Sequence, residues 1–433
     1  MKKRFALMLV CALLVFTTAC NTTHINNITE ATAASDKAEG SDTTADRDTG
    51  ASDTTDSDTP PPDTDGGIKM TEQDFQNAIN YIKQCRAEGK LSYSAFAVGN
   101  RQGEFFHWTL DGTNDTTIFN MASVTKITVT TTLFLIAQSE GLLHWDDKLG
   151  DHMNAPSDKA DIPLWRFMSH SSGLKAYNVS KVTKDPTKYF NQILSDPLAY
   201  ETGTKVLYSC NGFNLIGHII EQTYGKTLDE LFIEKIATPL GMKNSGYKLY
   251  EKTTDIAKHT NSKTNIVIDG NCYLLGSVSG NAGLFSDIVD MSTYAVELSN
   301  GLPSLIPHDL FEESLKNRTV GMNESRAIGW NLVDENYTQT GRLFPNGAYG
   351  HTGHQGTSIF VDSETGLWVV WLTNATYFAD DYSEVQKMRE YFHNAVADDL
   401  NLYVEEVVPD TDGTLVIGGP NKKEDYGALV TPK

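Results

Sequence analysis

Apolar residues first recur at helical spacing around Phe75, Ile79, Ile82 and Cys85, with Thr71 placed to cap, which predicts a helix from Thr71 to about Ala87. Ser92 to Val98 and Glu104 to Leu110 are β-prone runs joined through Asn100 to Gly103, the pattern of a hairpin. From Trp145 to about Ser299 helical periodicities alternate with Gly, Pro and Ser breaks, and Phe213 to Thr223 and Leu228 to Ile236 are the clearest helices. Strand patterns return at Ala327 to Val333, Thr357 to Val361 and Leu367 to Thr373, the last two joined by Asp362 to Gly366. A helical pattern from Tyr382 to about Ala397 follows. Strands at both ends of a helical middle predict an α/β (α+β) architecture. Its antiparallel sheet is flanked by helices and built from both chain ends, and it carries a large all-helical insertion. One run stays ambiguous: Ile127-Thr128-Val129-Thr130-Thr131-Thr132 is β-branched and strand-like by propensity, yet it leads an apolar stretch through Ile136 that reads as a helix.

Composition separates the ends of the chain from this patterned region. The formal net charge of the 433 residues is −21, which argues against nucleic-acid binding because phosphate contacts need clustered Lys and Arg. Between Asn21 and Gly66 eleven Asp or Glu stand against Lys37 and Arg47, so much of that charge is local. The same stretch is mostly Thr, Asp, Ser, Ala and Asn and ends in Pro60-Pro61-Pro62, so 21–67 is expected to be a disordered, charge-extended spacer.

Ahead of the spacer, Met1-Lys2-Lys3-Arg4 precedes an apolar run from Phe5 to Phe16, too short to cross a bilayer comfortably. Thr17-Thr18-Ala19-Cys20 then resembles the lipobox of bacterial lipoproteins, although leucine is usual where Thr17 stands. The resemblance implies a signal peptide over 1–20, a lipid anchor on Cys20, and an exported protein tethered to a bacterial membrane; ordinary secretion is the alternative. The remaining Cys85, Cys210 and Cys272 form neither a disulfide framework nor a zinc spacing.

The candidate chemistry begins at Ser123, with Lys126 three residues on, a pair that shares one face of a helix. A serine hydroxyl needs a neighbouring base, and the apolar run after Lys126 is expected to desolvate its amine and lower its pKa from ~10.4 toward the working range. Ser245-Gly246-Tyr247-Lys248 matches the same spacing in a Gly-rich turn with nothing apolar to bury the lysine, so spacing alone does not select a nucleophile.

Further segments supply a selection. Thr117 to Lys126 resembles the active-site serine motif of the class C β-lactamase and D-alanyl-D-alanine carboxypeptidase family. Pro163 to Leu174 is similar to its "LLTHTSGL" stretch, and Gly203 to Gly217 to its tyrosine motif. Gly350-His351-Thr352-Gly353 resembles its Lys-Thr-Gly or His-Thr-Gly triplet, and Gly280 to Ser286 its "GxAGLFST" segment. The resemblance covers Met70 to Leu400 and implies a serine hydrolase domain over 68–400, with the site between the sheet and the helical region. It implies Ser123 as nucleophile, Lys126 as the residue helping to deprotonate it, and Tyr208 as second general acid or base. It also places an oxyanion hole at the backbone N–H groups of Ser123 and His354.

Two positions depart from the family's pattern. Tyr208-Ser209-Cys210 replaces Tyr-x-Asn, removing an amide that would bond Lys126 or a substrate, and Asn211 is one position late. His351 replaces lysine, so a permanent cation for a substrate carboxylate is missing. His170 reads as structural, bonded within its loop. His351 and His354 lack a metal motif, and no metal or cofactor is expected. The GxSxG elbow of α/β hydrolases is absent. The expected function is an exported serine hydrolase working through a Ser123 acyl-enzyme, acting on peptidoglycan stem peptides ending in D-Ala. A hydrolase of small esters, amides or β-lactams, and a non-catalytic binding protein on the same fold, are the alternatives. The tail 401–433 receives no role.

Overall fold

A computed structural model describes residues 69–177, 184–260 and 265–402, and the backbone of 408–409 and 415–416. The expected signal peptide, Cys20, the spacer and nearly all of the tail lie outside the described residues.

Thr71 caps the first helical turn, its N–H and hydroxyl both donating to Asp74, and after one 3₁₀ turn the chain forms α1 (Gln76–Ala87). A hairpin of β1 (Ser94–Asn100) and β2 (Gly103–Thr109) follows, then the short β3 (Phe119–Asn120). The middle of the chain contributes α2 (Thr132–Ser139), α3 (Cys210–Tyr224), β4 (Gly246–Tyr247), β5 (Leu284–Ser286) and α4 (Ile288–Ser299), among shorter turns of helix. The C-terminal part returns to the sheet with β6 (Asn331–Leu332), β7 (Ala348–Thr352), β8 (Ser358–Asp362) and β9 (Trp368–Thr373), and ends in α5 (Tyr382–Asp399).

Six strands form one antiparallel sheet in the order β2-β1-β9-β8-β7-β6, so the two ends of the chain meet at the β1–β9 pair. Side chains alternate between two cores. Phe96, Val98, Phe360, Val369 and Trp371 pack with Phe75, Ile79 and Ile82 of α1 and Phe392 of α5. Ala95, Ala97, Ile359, Val361, Val370 and Leu372 share the other core with Met291, Tyr294 and Leu298 of α4 and with the helical region. Burial on both faces explains why β9 reads as a continuous apolar run rather than an alternation.

Two expectations need correction, and one ambiguous run is decided. The insertion is not all-helical, because β3, β5 and β4 form a second small sheet whose strands are too short for a periodicity to show. The strand expected over Ala327–Val333 shrinks to Asn331–Leu332. Gly329 breaks it: the residue takes a left-handed φ of 84° and sits so close to Thr131 that a β-carbon would fall 1.9 Å from its hydroxyl. The ambiguous β-branched run is helical. Lys126–Thr131 form a π-type turn that continues into α2; Thr130 Oγ1 donates to Gly280 O at 2.7 Å and Thr132 Oγ1 to Ile127 O at 2.9 Å.

Buried neutral histidines make this fold acid-sensitive. His393 Nδ1–H donates to Arg389 O at 2.8 Å among Phe344, Phe360 and Phe392, and burial pushes it and His354 down to about 4. Because these folded values lie below the unfolded one, their contribution is complete above about pH 6.5 and is lost as pH falls toward 4, about 3 kcal/mol for each buried ring. Melting temperatures measured across that window should fall steeply, and His393→Phe should flatten the slope; a variant slope equal to the parent's would contradict this.

Candidate active site

The turn after β3 is built to present one side chain. Asn120 Oδ1 accepts the Ala122 N–H at 2.9 Å and holds Ala122 at φ 47°, a left-handed conformation that is costly for alanine. Ser123 follows in the 3₁₀ turn Ala122–Val124, partly exposed. Thr125 locks the turn from beneath, donating to Ala122 O at 2.6 Å and accepting from Leu284 N of β5 at 3.1 Å. The π-type turn then begins with Lys126.

Lys126 has no exposed surface. Its ammonium donates to Ser123 Oγ at 3.0 Å and to Asn281 O at 2.9 Å, and faces Cys210 Sγ at 3.8 Å. The Tyr208 ring lies 4.9 Å from the same nitrogen, and its phenol feels both the Lys126 ammonium and the Ser123 hydroxyl. Sequence order thus becomes one cluster: Ser123, Lys126, Tyr208 and Cys210 are within reach of a single ammonium. An acyl-transfer site requires a nucleophile, a charge and a proton shuttle, and a serine, a lysine and a tyrosine are side chains with that chemistry.

The electrostatics differ from expectation. Burial does pull Lys126 down, but Cys210 and Tyr208, whose anions the ammonium would neutralise, together with the Tyr208 bond and Asp269, push it above its ordinary value. Tyr208 is raised by burial, which outweighs the nearby ammonium. At neutral pH the resting pair therefore holds its protons, an ammonium beside a phenol, rather than a neutral amine.

Two loops hold this cluster. His170, itself at φ 58°, accepts the Ser209 N–H on Nδ1 at 3.0 Å, and its ring packs 4.4 Å from that of Tyr208. It is structural, but its partner is the tyrosine loop rather than its own. Ser209 caps α3 by accepting from Gly212 N, which starts the helix at Cys210 and turns the thiol toward Lys126. Asn211 points away to Tyr189 and Lys175. On the other side Asn214 Oδ1 accepts from Asn281 N at 3.1 Å, and Gly280 packs so tightly on Phe213 that a β-carbon would fall 2.1 Å from its carbonyl oxygen. That packing places the Asn281 carbonyl on Lys126.

The end of β7 forms the facing rim. His351 is buried, its Nδ1–H donating to Thr352 O at 2.6 Å with its ring 6.0 Å from Tyr208; burial, Lys126 and Arg326 hold it well below its usual value and neutral. Thr352 is partly exposed. Gly353 must be glycine, since a β-carbon would meet Thr357 Oγ1 at 2.1 Å and Met121 O, beside the nucleophile turn, at 2.5 Å. The ring of His354 stacks on Tyr382 at 4.8 Å, away from a direct role. Among the described residues, the Ser123 and His354 amides donate to no backbone carbonyl, which leaves both N–H groups for a developing oxyanion. No cluster of His, Cys, Asp and Glu among the described residues is arranged to hold a metal.

Sequence reasoning missed two arginines. Arg326 lies with its guanidinium 5.8 Å from the Tyr208 ring, held by Glu324 and Asn331, and no motif marks it. Arg389 is fully buried and donates to Gly353 O at 2.5 Å and Gly356 O at 3.1 Å, stapling the turn after β7. The other Ser-x-x-Lys match is structural: Ser245 Oγ bonds Ser286 Oγ at 2.7 Å and Asp290 at 2.8 Å.

This fold and cluster fit a serine hydrolase, and the family match says which one. Residues 78–390 match the family described as Beta-lactamase, and the chain belongs to that family. It is 30% identical over 301 residues to the Escherichia coli (strain K12) protein named "Putative D-alanyl-D-alanine carboxypeptidase", covering 60% of this chain and 69% of that one. It is 28% identical over 302 residues to the N-acetylmuramyl-L-alanine amidase of Bacillus subtilis (strain 168), covering 60% and 68%. The crystal structure of a β-lactamase/D-alanine carboxypeptidase from Pseudomonas syringae superposes with a TM-score of 0.62 at 16% identity, covering 74% of this chain and 99% of that one, which establishes a shared fold.

The contact at Gly353 is testable. Gly353→Ala should push the rim off the nucleophile turn and lower acylation roughly hundredfold or more, since small misplacements are costly. The protein should stay folded by circular dichroism; acylation at the parent rate would show that the contact does not set the site.

Proposed function

We propose that this protein acts through a Ser123 acyl-enzyme and that its substrates are D-Ala-D-Ala-type peptides of peptidoglycan. The observation that carries the reading is the shared ammonium: Lys126 reaches Ser123 Oγ at 3.0 Å and lies 4.9 Å from the Tyr208 ring. Ser123 attacks the carbonyl carbon. The Lys126–Tyr208 pair takes its proton and delivers it to the leaving amine, and the Ser123 and His354 amides hold the oxyanion. Water then repeats the sequence against the acyl group. Because the resting pair is fully protonated, one proton must pass to another group before it acts as a base.

Arg326 supports a carboxylate-bearing substrate. It places a permanent positive charge near Tyr208, where the neutral His351 supplies none. The names of the relatives, carboxypeptidase and muramyl amidase, point to the same cell-wall chemistry. The lipobox-like Thr17-Thr18-Ala19-Cys20 and the acidic 21–67 segment support an exported domain over 68–400, held off a bacterial membrane by a lipid on Cys20. Small esters are the second reading, favoured by the thiol at Cys210, which lacks the donors an amide substrate would use.

Turnover of a D-Ala-D-Ala peptide, a β-lactam and a short-chain ester by the purified domain decides between these. The peptide should be cleaved fastest. Ser123→Ala should abolish turnover, and Lys126→Ala should lower it at least ~10²-fold, whereas Lys248→Ala should leave it within about twofold. Ester turnover without peptide turnover would move the assignment to the second reading. Equal effects at Lys126 and Lys248 would remove the first altogether.

A further inference from the structure

The Lys126 ammonium is surrounded by three acceptors, and one of them is a group that can ionise. Cys210 is the first residue of α3, fixed there by the Ser209 cap and by its own N–H donating to Ala176 O at 3.0 Å. It is 1% exposed, and its sulfur faces the ammonium at 3.8 Å. A thiol is a weak acceptor, so as a neutral group it would satisfy a fully buried ammonium poorly. As a thiolate it would be a counter-ion in contact with that charge.

The other groups facing the ammonium do not supply one. Asn281 offers a backbone carbonyl, Ser123 a hydroxyl and Tyr208 a phenol kept neutral by burial. His170 and His351 are neutral, Arg326 is a like charge, and Asp269 acts at longer range beyond its bond to Cys272 N. Lys126 and Tyr208 both feel Cys210 among their strongest charge interactions.

We infer that Cys210 is a positioning residue that sets the proton state of Lys126, the two resting as a thiolate–ammonium pair that converts to thiol and neutral amine when substrate fills the cleft. The inference rests on the acyl-enzyme reading above. Displacing water disfavours the charged pair relative to the neutral one, because separated charges lose solvation. One N–H proton then moves from Lys126 to the Cys210 sulfur. The amine lone pair takes the Ser123 hydroxyl proton as the Oγ–C bond forms, and Lys126 with Tyr208 passes that proton to the leaving group as its bond to carbon breaks. After deacylation restores the Ser123 hydroxyl, the thiol returns its proton to the amine. No proton is exchanged with solvent, which an asparagine at this position could not arrange.

The test has two readouts. In the first, the ultraviolet absorbance of thiolate is titrated in the intact folded domain, where burial raises both Cys85 and Cys272 and keeps them protonated in the neutral range. A thiolate signal should be present at neutral pH, vanish in Cys210→Ser and shift to higher pH in Lys126→Met. In the second, the pH profile of acylation is compared between parent, Cys210→Ser and Cys210→Asn. Cys210→Ser should lose roughly tenfold to hundredfold at neutral pH and recover as pH rises, its acid limb displaced upward by roughly one to two units. Absence of a Cys210-dependent thiolate signal at neutral pH overturns the inference, as does a profile lowered uniformly without displacement, the mark of a space-filling role. A thiolate signal that depends on Lys126 in a protein that acylates with no substrate would retain the pair and reject the acyl-enzyme reading instead.

Discussion

A lysine ammonium with no exposed surface must have its charge and its three N–H groups matched inside the protein. Lys126 is such a group, and the elements around it are arranged to match it. Ser123 Oγ, Asn281 O and Cys210 Sγ come from three distant segments, and each arrives by its own tight packing: the left-handed Ala122, Gly280 against Phe213, and the Ser209 cap of α3. Removing a partner of a buried charge typically costs several kcal/mol, so this one group ties the nucleophile turn to the helical region.

The sheet supplies the other half of the site. β7 ends at Gly353, whose contact with Met121 O sets the distance between the rim and the nucleophile turn. Arg389 holds that rim from α5, donating to the carbonyls of Gly353 and Gly356. The histidine rim removes a positive charge from the site and Arg326 restores one nearby, on a strand-edge loop rather than on the sheet itself.

Much of this was legible in the sequence, for physical reasons that differ by element. The two-sided burial of the sheet gave β9 and α5 clear patterns, and the order of Ser123, Tyr208 and His351 selected one Ser-x-x-Lys over another. The short strands β4, β5 and β6 carry too few residues to show a period. The β-branched turn after Lys126 is helical because tertiary burial overrides propensity, the whole run being enclosed in the core. Asn281 acts through its carbonyl, a group every residue has, and Arg389 through a turn that exists only in three dimensions. The proton state of Lys126 was misjudged because burial was visible in the apolar run, whereas the opposing effect of Cys210 and Tyr208 required their positions.

The central claim is that this ammonium activates Ser123 for covalent chemistry. The most direct measurement is peptide mapping of the mature domain after incubation with a fluorophosphonate or a fluorescent penicillin. The account predicts one stoichiometric adduct, on the peptide carrying Ser123, absent after Lys126→Ala. An unlabelled protein with both probes, or an adduct on Ser245, would contradict it.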